Sequence, residues 1–327
     1  MLLAADVGGT RTRLGWYRPG GGRPVVHLVR EYATKDFASL DDAVQHFLAE
    51  TGHARPDAFC AGVAGPVRGS AARLVNAPWT ADLEMVRTHL GDCPAALLND
   101  LEAMASAIPV LGPADLAVLQ EGDAVSTGNA AVIAAGTGLG QALLHNVGGR
   151  IVPFPSEGGH ADFAARTPRE IALLQALSRA HGRVDVERVL SGRGLVAIAG
   201  FTHGAANLTP DCPALDGASG SDLPASITTA ALERRCVRCV DALELFVDAY
   251  GAEAGNLALQ SVATAGIYVG GGIAPKILPA LQDGRFVAAF CDKAPMVDLL
   301  RAIPVAVILD PMAGLLGAAV RAGELVD

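Results

Sequence analysis

Three short glycine turns and a few carboxylate, amide and imidazole side chains hold the residues of this chain that could do chemistry. Asp6-Val7-Gly8-Gly9-Thr10 places a carboxylate at the end of an apolar run, followed by two glycines and a hydroxyl. Glycine permits positive φ and close backbone approach, so such a turn can aim N–H groups at a phosphate while Thr10 adds an O–H. A tight hairpin turn explains the same residues as well. Gly136-Thr137-Gly138-Leu139-Gly140 and Gly270-Gly271-Gly272 repeat the offer after two further apolar runs. Three phosphate-capable turns point to a nucleotide and a transferring phosphoryl group.

Asn99 and Asp100 stand where an apolar run, Ala95–Leu98, gives way to a helical pattern over Leu101–Ala107, the usual location for sites in α/β folds. Asp100 reads equally as a helix cap or as a catalytic carboxylate. In Glu157-Gly158-Gly159-His160 two glycines leave the backbone free to turn a carboxylate and an imidazole into one small cavity, a set suited to vicinal sugar hydroxyls. The plain alternative is a loop Glu and a surface His. Glu187, taken alone, belongs to a solvated helix face. No Gly-x-x-x-x-Gly-Lys-[Ser/Thr] loop occurs. Gly192-Arg193-Gly194-Leu195-Val196-Ala197 fits the dinucleotide pattern formally but follows a helix-like Val186–Leu190 rather than a strand. Glu157, His160 and Asp162 are metal-ligand types without a His-x-x-x-His pair, so no protein-held catalytic metal is expected. Cys236-x-x-Cys239 falls inside a helical pattern over Ile227–Ala249 and reads as two helix thiols with no second Cys or His pair near in sequence.

The elements that must position these groups alternate strand and helix. Leu2–Asp6, Arg13–Tyr17 and Val25–Tyr32 read as a three-strand meander around the Pro19-Gly20-Gly21-Gly22 turn. Ser39 then caps a helix with apolar residues at Leu40, Ala43, Val44, Phe47 and Leu48. Strands are expected at Ala58–Ala64, Ala71–Asn76, Ala95–Leu98, Ala130–Ala135, Ala265–Val269 and Ile303–Ile308. Helices are expected at Ala81–His89, Pro168–His181 and Met312–Ala322, the last capped by Asp310-Pro311, and Thr209–Pro224 reads as a surface loop. Two strand-then-glycine-turn elements about 130 residues apart hint at a duplicated α/β architecture.

Length and composition agree. The 327 residues are 51% hydrophobic and 18% charged with 38 glycines, enough for a large core and unlike a disordered chain. A net charge of −9, with Lys35, Lys276 and Lys293 as the lysines, leaves no polybasic stripe for nucleic acid or an anionic membrane. The uncharged stretch Ala124–Gly149 carries too many polar residues and glycines to read as a membrane span. Six scattered cysteines without a leader pattern fit reduced thiols in a cytoplasm.

In order along the chain, Asp6-Val7-Gly8-Gly9-Thr10, Ala64-Gly65-Pro66-Val67, Asn76 with Trp79, Leu98-Asn99-Asp100, Gly136-Thr137-Gly138-Leu139-Gly140, Glu157-Gly158-Gly159-His160-Ala161-Asp162-Phe163, Glu187–Gly192, Gly270-Gly271-Gly272-Ile273 and Leu315–Ala319 form a specific set. The sequence resembles the bacterial-type glucokinase family, within the sugar kinase/Hsp70/actin superfamily. The resemblance implies a two-domain, ribonuclease H-like α/β fold with a sugar cleft between the domains. A small domain would take residues 1–110 plus 301–327 and a large one 111–300, and sugar would close the cleft. It implies phosphoryl transfer from Mg·ATP to the 6-hydroxyl of glucose, the first step of glycolysis, with Asp100 as general base. Asn99, Gly138, Glu157, His160 and Glu187 would hold the sugar. Asp6, Gly8, Gly9, Thr10, Gly136 and Thr137 would face the phosphates and Mg²⁺, and Gly270, Gly271 and Gly272 the nucleoside. A homodimer is implied as well.

Arg11 departs from the family pattern and either salt-bridges at the surface or adds charge at the phosphate end. Asp292-Lys293-Ala294-Pro295-Met296 departs too. The related repressor/kinase group carries a Cys/His zinc motif after its sugar-binding loop; none follows His160. Within the kinases, another hexose or phosphoryl donor is the main alternative. A sugar-sensing regulator would need a DNA-binding segment, and a filament protein would have no use for a sugar pocket.

Overall fold

A computed structural model describes the chain except residues 53–54, 75–78, 206–211, 216 and 327. The chain divides into two compact units, residues 1–112, 151–155 and 310–327 in one and residues 113–150 and 156–309 in the other.

The first unit is built on β1 (Leu2–Val7), β2 (Arg11–Arg18), β3 (Val25–Ala33), β4 (Ala58–Val63), the short strands β5 (Val67–Arg68), β6 (Ala71–Arg73) and β7 (Thr80–Asp82), and β8 (Ala95–Asn99). Its main sheet runs β3-β2-β1-β4-β8, with β1 to β3 an antiparallel meander and β1, β4 and β8 parallel. The meander is as expected. Helices α1 (Leu40–Thr51), α2 (Leu83–Leu90) and α3 (Asp100–Ala107) follow. Ser39 does cap α1, its side chain accepting from the Asp42 N–H, and Gly52 ends the helix at φ 64°. The C-terminal helix, Ala313–Glu324, packs on β1, β4 and α3 with Leu315, Leu316, Ala318, Ala319 and Ala322 buried. Its small residues are required there, because a Cβ on Gly317 would overlap the Ala103 carbonyl oxygen.

The second unit carries β9 (Leu116–Gln120), β10 (Ala130–Ala135), β11 (Leu139–Val147), β13 (Gly266–Gly270) and β14 (Val305–Ile308), while β12 (Arg150–Ser156) has its residues 151–155 in the first unit. Its strands run in the order β11-β10-β13-β14-β9, with β10, β13 and β14 parallel and every residue of β10 buried. Helices α4 (Pro168–His181), α5 (Gly192–Thr202), α6 (Leu223–Leu232), α7 (Val237–Ser261), α8 (Leu278–Leu281), α9 (Arg285–Cys291) and α10 (Val297–Ala302) supply the rest of its core, led by Phe246, Tyr250, Phe286 and Phe290. Thr167 and Glu170 close a capping box on α4, with Pro168 in the first turn.

Several expectations are corrected. The single helix over Ile227–Ala249 is two helices. Arg234 adopts φ 55°, its N–H bonds to the Ala231 carbonyl and that of Arg235 to the Ala230 carbonyl, a left-handed cap that stops α6 without a glycine. Val186–Leu190 is a turn rather than helix-like, so Glu187 lies on no helix face. The expected loop Thr209–Pro224 contains turns of 3₁₀ helix at Pro213–Leu215 and Gly220–Asp222 and gives way to α6 at Leu223, while its residues 209–211 and 216 lie outside the described residues. Asn76, one of the residues that carried the resemblance, is also outside them. Among the described residues no helix is long and apolar enough to cross a membrane.

Candidate functional site

In the first unit the parallel strands end in step. Asp6 pairs in register with Gly62, and Gly62 with Leu98, so β1, β4 and β8 deliver Asp6, Ala64-Gly65 and Asn99-Asp100 to one edge of the sheet. The cap-or-catalyst ambiguity at Asp100 is reduced by its neighbour. Asn99 is the N-cap of α3, its Oδ1 accepting from the Leu101 N–H at 3.0 Å while its Nδ2 donates to the Gly65 carbonyl at 3.2 Å. Asp100 is the first residue of the helix and its Oδ1 also accepts from the Leu101 N–H, at 2.9 Å. The carboxylate thus sits at the positive end of a helix, where negative charge is favoured.

The Gly8-Gly9-Thr10 segment is the loop of the β1–β2 hairpin, so the hairpin reading of those residues is also true. Gly8 N–H is used within it, donating to the Arg11 carbonyl at 2.9 Å, and Thr34 Oγ1 donates to the Gly8 carbonyl at 2.7 Å. Thr10 is exposed. Asp6 faces Arg13 at 3.6 Å, and Gly314 at the start of the C-terminal helix leaves room for its carboxyl group. About a quarter of the Asp6 side chain (26%) remains accessible, yet the density of chain around it pushes its pKa above the carboxylate norm, with Arg13 opposing and Glu31 assisting. Arg11 pairs with Glu31 at 3.5 Å and is mostly exposed, which is the surface salt bridge considered for it.

In the second unit the residues expected to hold sugar converge on one turn. Leu139 N–H donates to Glu187 Oε2 at 2.9 Å, and the carboxylate fills the space where Gly138 lacks a Cβ. Glu187 N–H donates to the Gly159 carbonyl, and a Cβ on Gly159 would overlap the Leu139 carbonyl oxygen. The Glu157–His160 segment, a single 3₁₀ turn, is therefore clamped against the Gly136–Gly140 turn, with Glu157 and His160 exposed. Gly192 N–H reaches the Gly136 carbonyl at 2.9 Å, tying in the start of α5.

His160 Nδ1 lies 3.2 Å from Asp185 Oδ2, and Arg183 bonds both the His160 carbonyl and, at 2.7 Å, Asp162. Asp185, Arg183 and Arg193, whose guanidinium is 3.9 Å from Glu187, were not anticipated. The spacing Asp185-x-Glu187 was the available signal. Buried Gln141, whose side chain stands over Gly158 and donates to Glu253 at 2.8 Å, carried no signal.

The third turn joins the same edge. Gly271 adopts φ 84° and a Cβ there would overlap Ala135, while Ile273 N–H donates to the Ala135 carbonyl. The buried Tyr250 hydroxyl accepts from the Ala135 N–H at 3.1 Å and lies 3.3 Å from the Ile133 carbonyl, stitching the end of β10 from beneath. Thr137 and Gly272 are exposed, and neither Gly136 nor Gly272 has an atom within 4 Å of where a Cβ would stand. The turns after β10 and β13 thus offer open backbone at the carboxyl ends of adjacent parallel strands, where ligands of such sheets bind.

The glucokinase family model matches residues 3–325. A glucokinase of Nostoc punctiforme is 41% identical over 339 aligned residues, covering 99% of each chain. The crystal structure of a glucokinase from an Antarctic psychrotroph superposes with a TM-score of 0.87 at 30% identity, covering 99% of this chain and 98% of that one. A ROK family glucokinase from Streptomyces griseus, solved in complex with glucose and AMPPNP, shares the fold with a TM-score of 0.66 at 23% identity, over 99% of both chains.

Proposed function

Because the chain belongs to the glucokinase family of ATP-dependent hexose kinases, we propose that it transfers the γ-phosphoryl group of Mg·ATP to the 6-hydroxyl of D-glucose, with Asp100 as general base. Asp100 takes the hydroxyl proton as the sugar oxygen bonds to the γ-phosphorus and the β–γ bridging oxygen leaves with ADP. Asn99, Glu157, His160, Glu187 and the Gly138 backbone hold the remaining hydroxyls. Asp185 fixes the His160 ring through Nδ1, which leaves Nε2 for the sugar. Gly8, Gly9, Thr10, Gly136 and Thr137 receive the phosphates, and Gly270, Gly271 and Gly272 the nucleoside. Asp6 is the carboxylate that fits Mg²⁺: one oxygen donor near a phosphate turn suits a hard cation that keeps most of its waters and its nucleotide oxygens. Bound with the nucleotide, Mg²⁺ supplies neutralisation of the charge that develops on the phosphates.

The observation that carries the reading is the clamp of Glu187 and the Glu157–His160 segment on the Gly138 turn. Such a set of acceptors and donors rejects sugars that leave a buried polar group unpaired. A reducing compartment is supported by six unpaired cysteines. A homodimer is the assembly the resemblance implies, and light scattering on the purified chain tests it. An ADP-release assay with Mg·ATP against glucose, mannose, fructose, galactose and N-acetylglucosamine tests the reaction. Turnover on glucose, lost in Asp100→Asn, is the expected result; preferred turnover on another sugar overturns the specificity.

A further inference from the structure

The break between α6 and α7 changes the standing of the Cys236-x-x-Cys239 pair. Cys236 is the N-cap of α7 and Cys239 lies buried in its first turn, and both sulfurs lie within 4.8 Å of a ring nitrogen of His203 at the end of α5. There the chain brings His203, the C-cap residue of α5, and Cys212, buried at the foot of the Pro213–Leu215 turn. One ligand atom from each of His203, Cys212, Cys236 and Cys239 lies within 4.8 Å of the others. The pair, expected as helix-surface or core thiols with no second Cys or His pair near in sequence, thus has His203 and Cys212 beside it in space.

We propose that His203, Cys212, Cys236 and Cys239 form a structural zinc site of the Cys₃His type. Zn–S bonds of about 2.3 Å and Zn–N bonds of about 2.0 Å in a tetrahedron place ligand atoms about 3.5–3.8 Å apart. Cys236 Sγ and His203 Nε2 already stand 3.5 Å apart. The imidazole is also oriented as a ligand: Nδ1 donates to the Ala199 carbonyl at 2.6 Å, which fixes the tautomer and leaves the Nε2 lone pair aimed at the sulfurs. Four donors and no carboxylate describe a closed, soft site that selects zinc over magnesium and leaves no position for a substrate.

The position indicates the role. The cation would pin the end of α5, the segment leading to α6 and the start of α7 to one another. The other end of α5 begins at Ser191-Gly192, against the Gly136 carbonyl of the sugar turn. A rigid α5 holds that turn from behind.

The test is metal analysis of the full chain, purified under reducing conditions without a histidine tag, alongside Cys236→Ser/Cys239→Ser and His203→Ala. One zinc per wild-type chain is expected, with loss of nearly all of it in the double variant. Removing zinc from the wild type with a strong chelator should lower Tm by roughly 5–10 °C, reversed by zinc and not by magnesium. Cobalt(II) added to the stripped wild type should give thiolate charge-transfer bands and the intense visible bands of a tetrahedral centre, a readout that stands even where a variant fails to fold. Wild-type chain that is metal-free, takes up no cobalt after reduction, or carries a Cys236–Cys239 disulfide instead overturns the site. So does zinc content unchanged by the substitutions.

Discussion

Gly138→Ala separates sugar binding from everything else the glycine turns do. Gly138 carries no positive φ, so alanine is permitted by the backbone, and the effect is steric. The new Cβ would overlap Glu187 Oε2 and stand 3.1 Å from Cδ, and the carboxylate must retreat by about 1 Å to reach ordinary contact distance. That movement breaks the 2.9 Å bond from the Leu139 N–H. The displaced carboxylate also loses its proposed bond to the sugar; hydrogen bonds to a charged group contribute about 1.5–3 kcal/mol, which corresponds to a glucose KM raised about 10- to 150-fold. Glu187 is partly open to solvent at 24% and can swing outward, so Tm should fall by no more than about 3 °C. Gly136→Ala is the matched comparison. Its Cβ meets no atom within 4 Å, and the methyl enters the space assigned to phosphates. It should raise the KM for ATP and leave that for glucose alone. Initial rates by coupled ADP release, with each substrate varied in turn, read both. A glucose KM within twofold of wild type in Gly138→Ala refutes the assignment of Glu187 to the sugar.

Asp100→Asn keeps the shape of the α3 start and removes the proton acceptor, so kcat should drop by about 10²- to 10⁴-fold with glucose affinity largely retained, as measured by steady-state kinetics and calorimetry. Asp6→Asn should raise Tm at neutral pH while lowering turnover. The folded-state pKa of Asp6 lies above its unfolded value, so stability from the protonated form is lost as pH rises through the folded pKa. The Tm advantage of the variant should therefore shrink as pH falls into the acid range, and a constant advantage across pH in differential scanning fluorimetry contradicts this. Val262→Gly should stabilise the second unit by about 1 kcal/mol, because a β-branched residue at φ 47° ends α7 and its exposed side chain gives up little packing. Chemical denaturation checks the shift.

What could be read from the sequence was set by short-range physics. Ser39 and the apolar spacing behind it located α1, the helical pattern over Pro168–His181 located α4, and the all-apolar run Ala130–Ala135 located β10 to the residue. The glycines of Gly136–Gly140 and Gly158-Gly159 were legible as turns beside candidate phosphate and sugar groups, but the close packing of Gly138 on Glu187 and of Gly159 on Leu139 was not, since no spacing encodes such long-range contacts. The end of α6 was missed for a related reason. A left-handed cap normally announces itself with glycine or asparagine, and here Arg234 takes that conformation and bears the strain. That missing signal merged two helices into one and hid Cys236 in a helix interior, so the gathering of His203, Cys212, Cys236 and Cys239 was read as a Cys-x-x-Cys pair alone. A motif's meaning depends on whether the chain turns beside it: with α7 starting at Val237, the same Cys-x-x-Cys spacing points both sulfurs from a helix start toward His203 and Cys212.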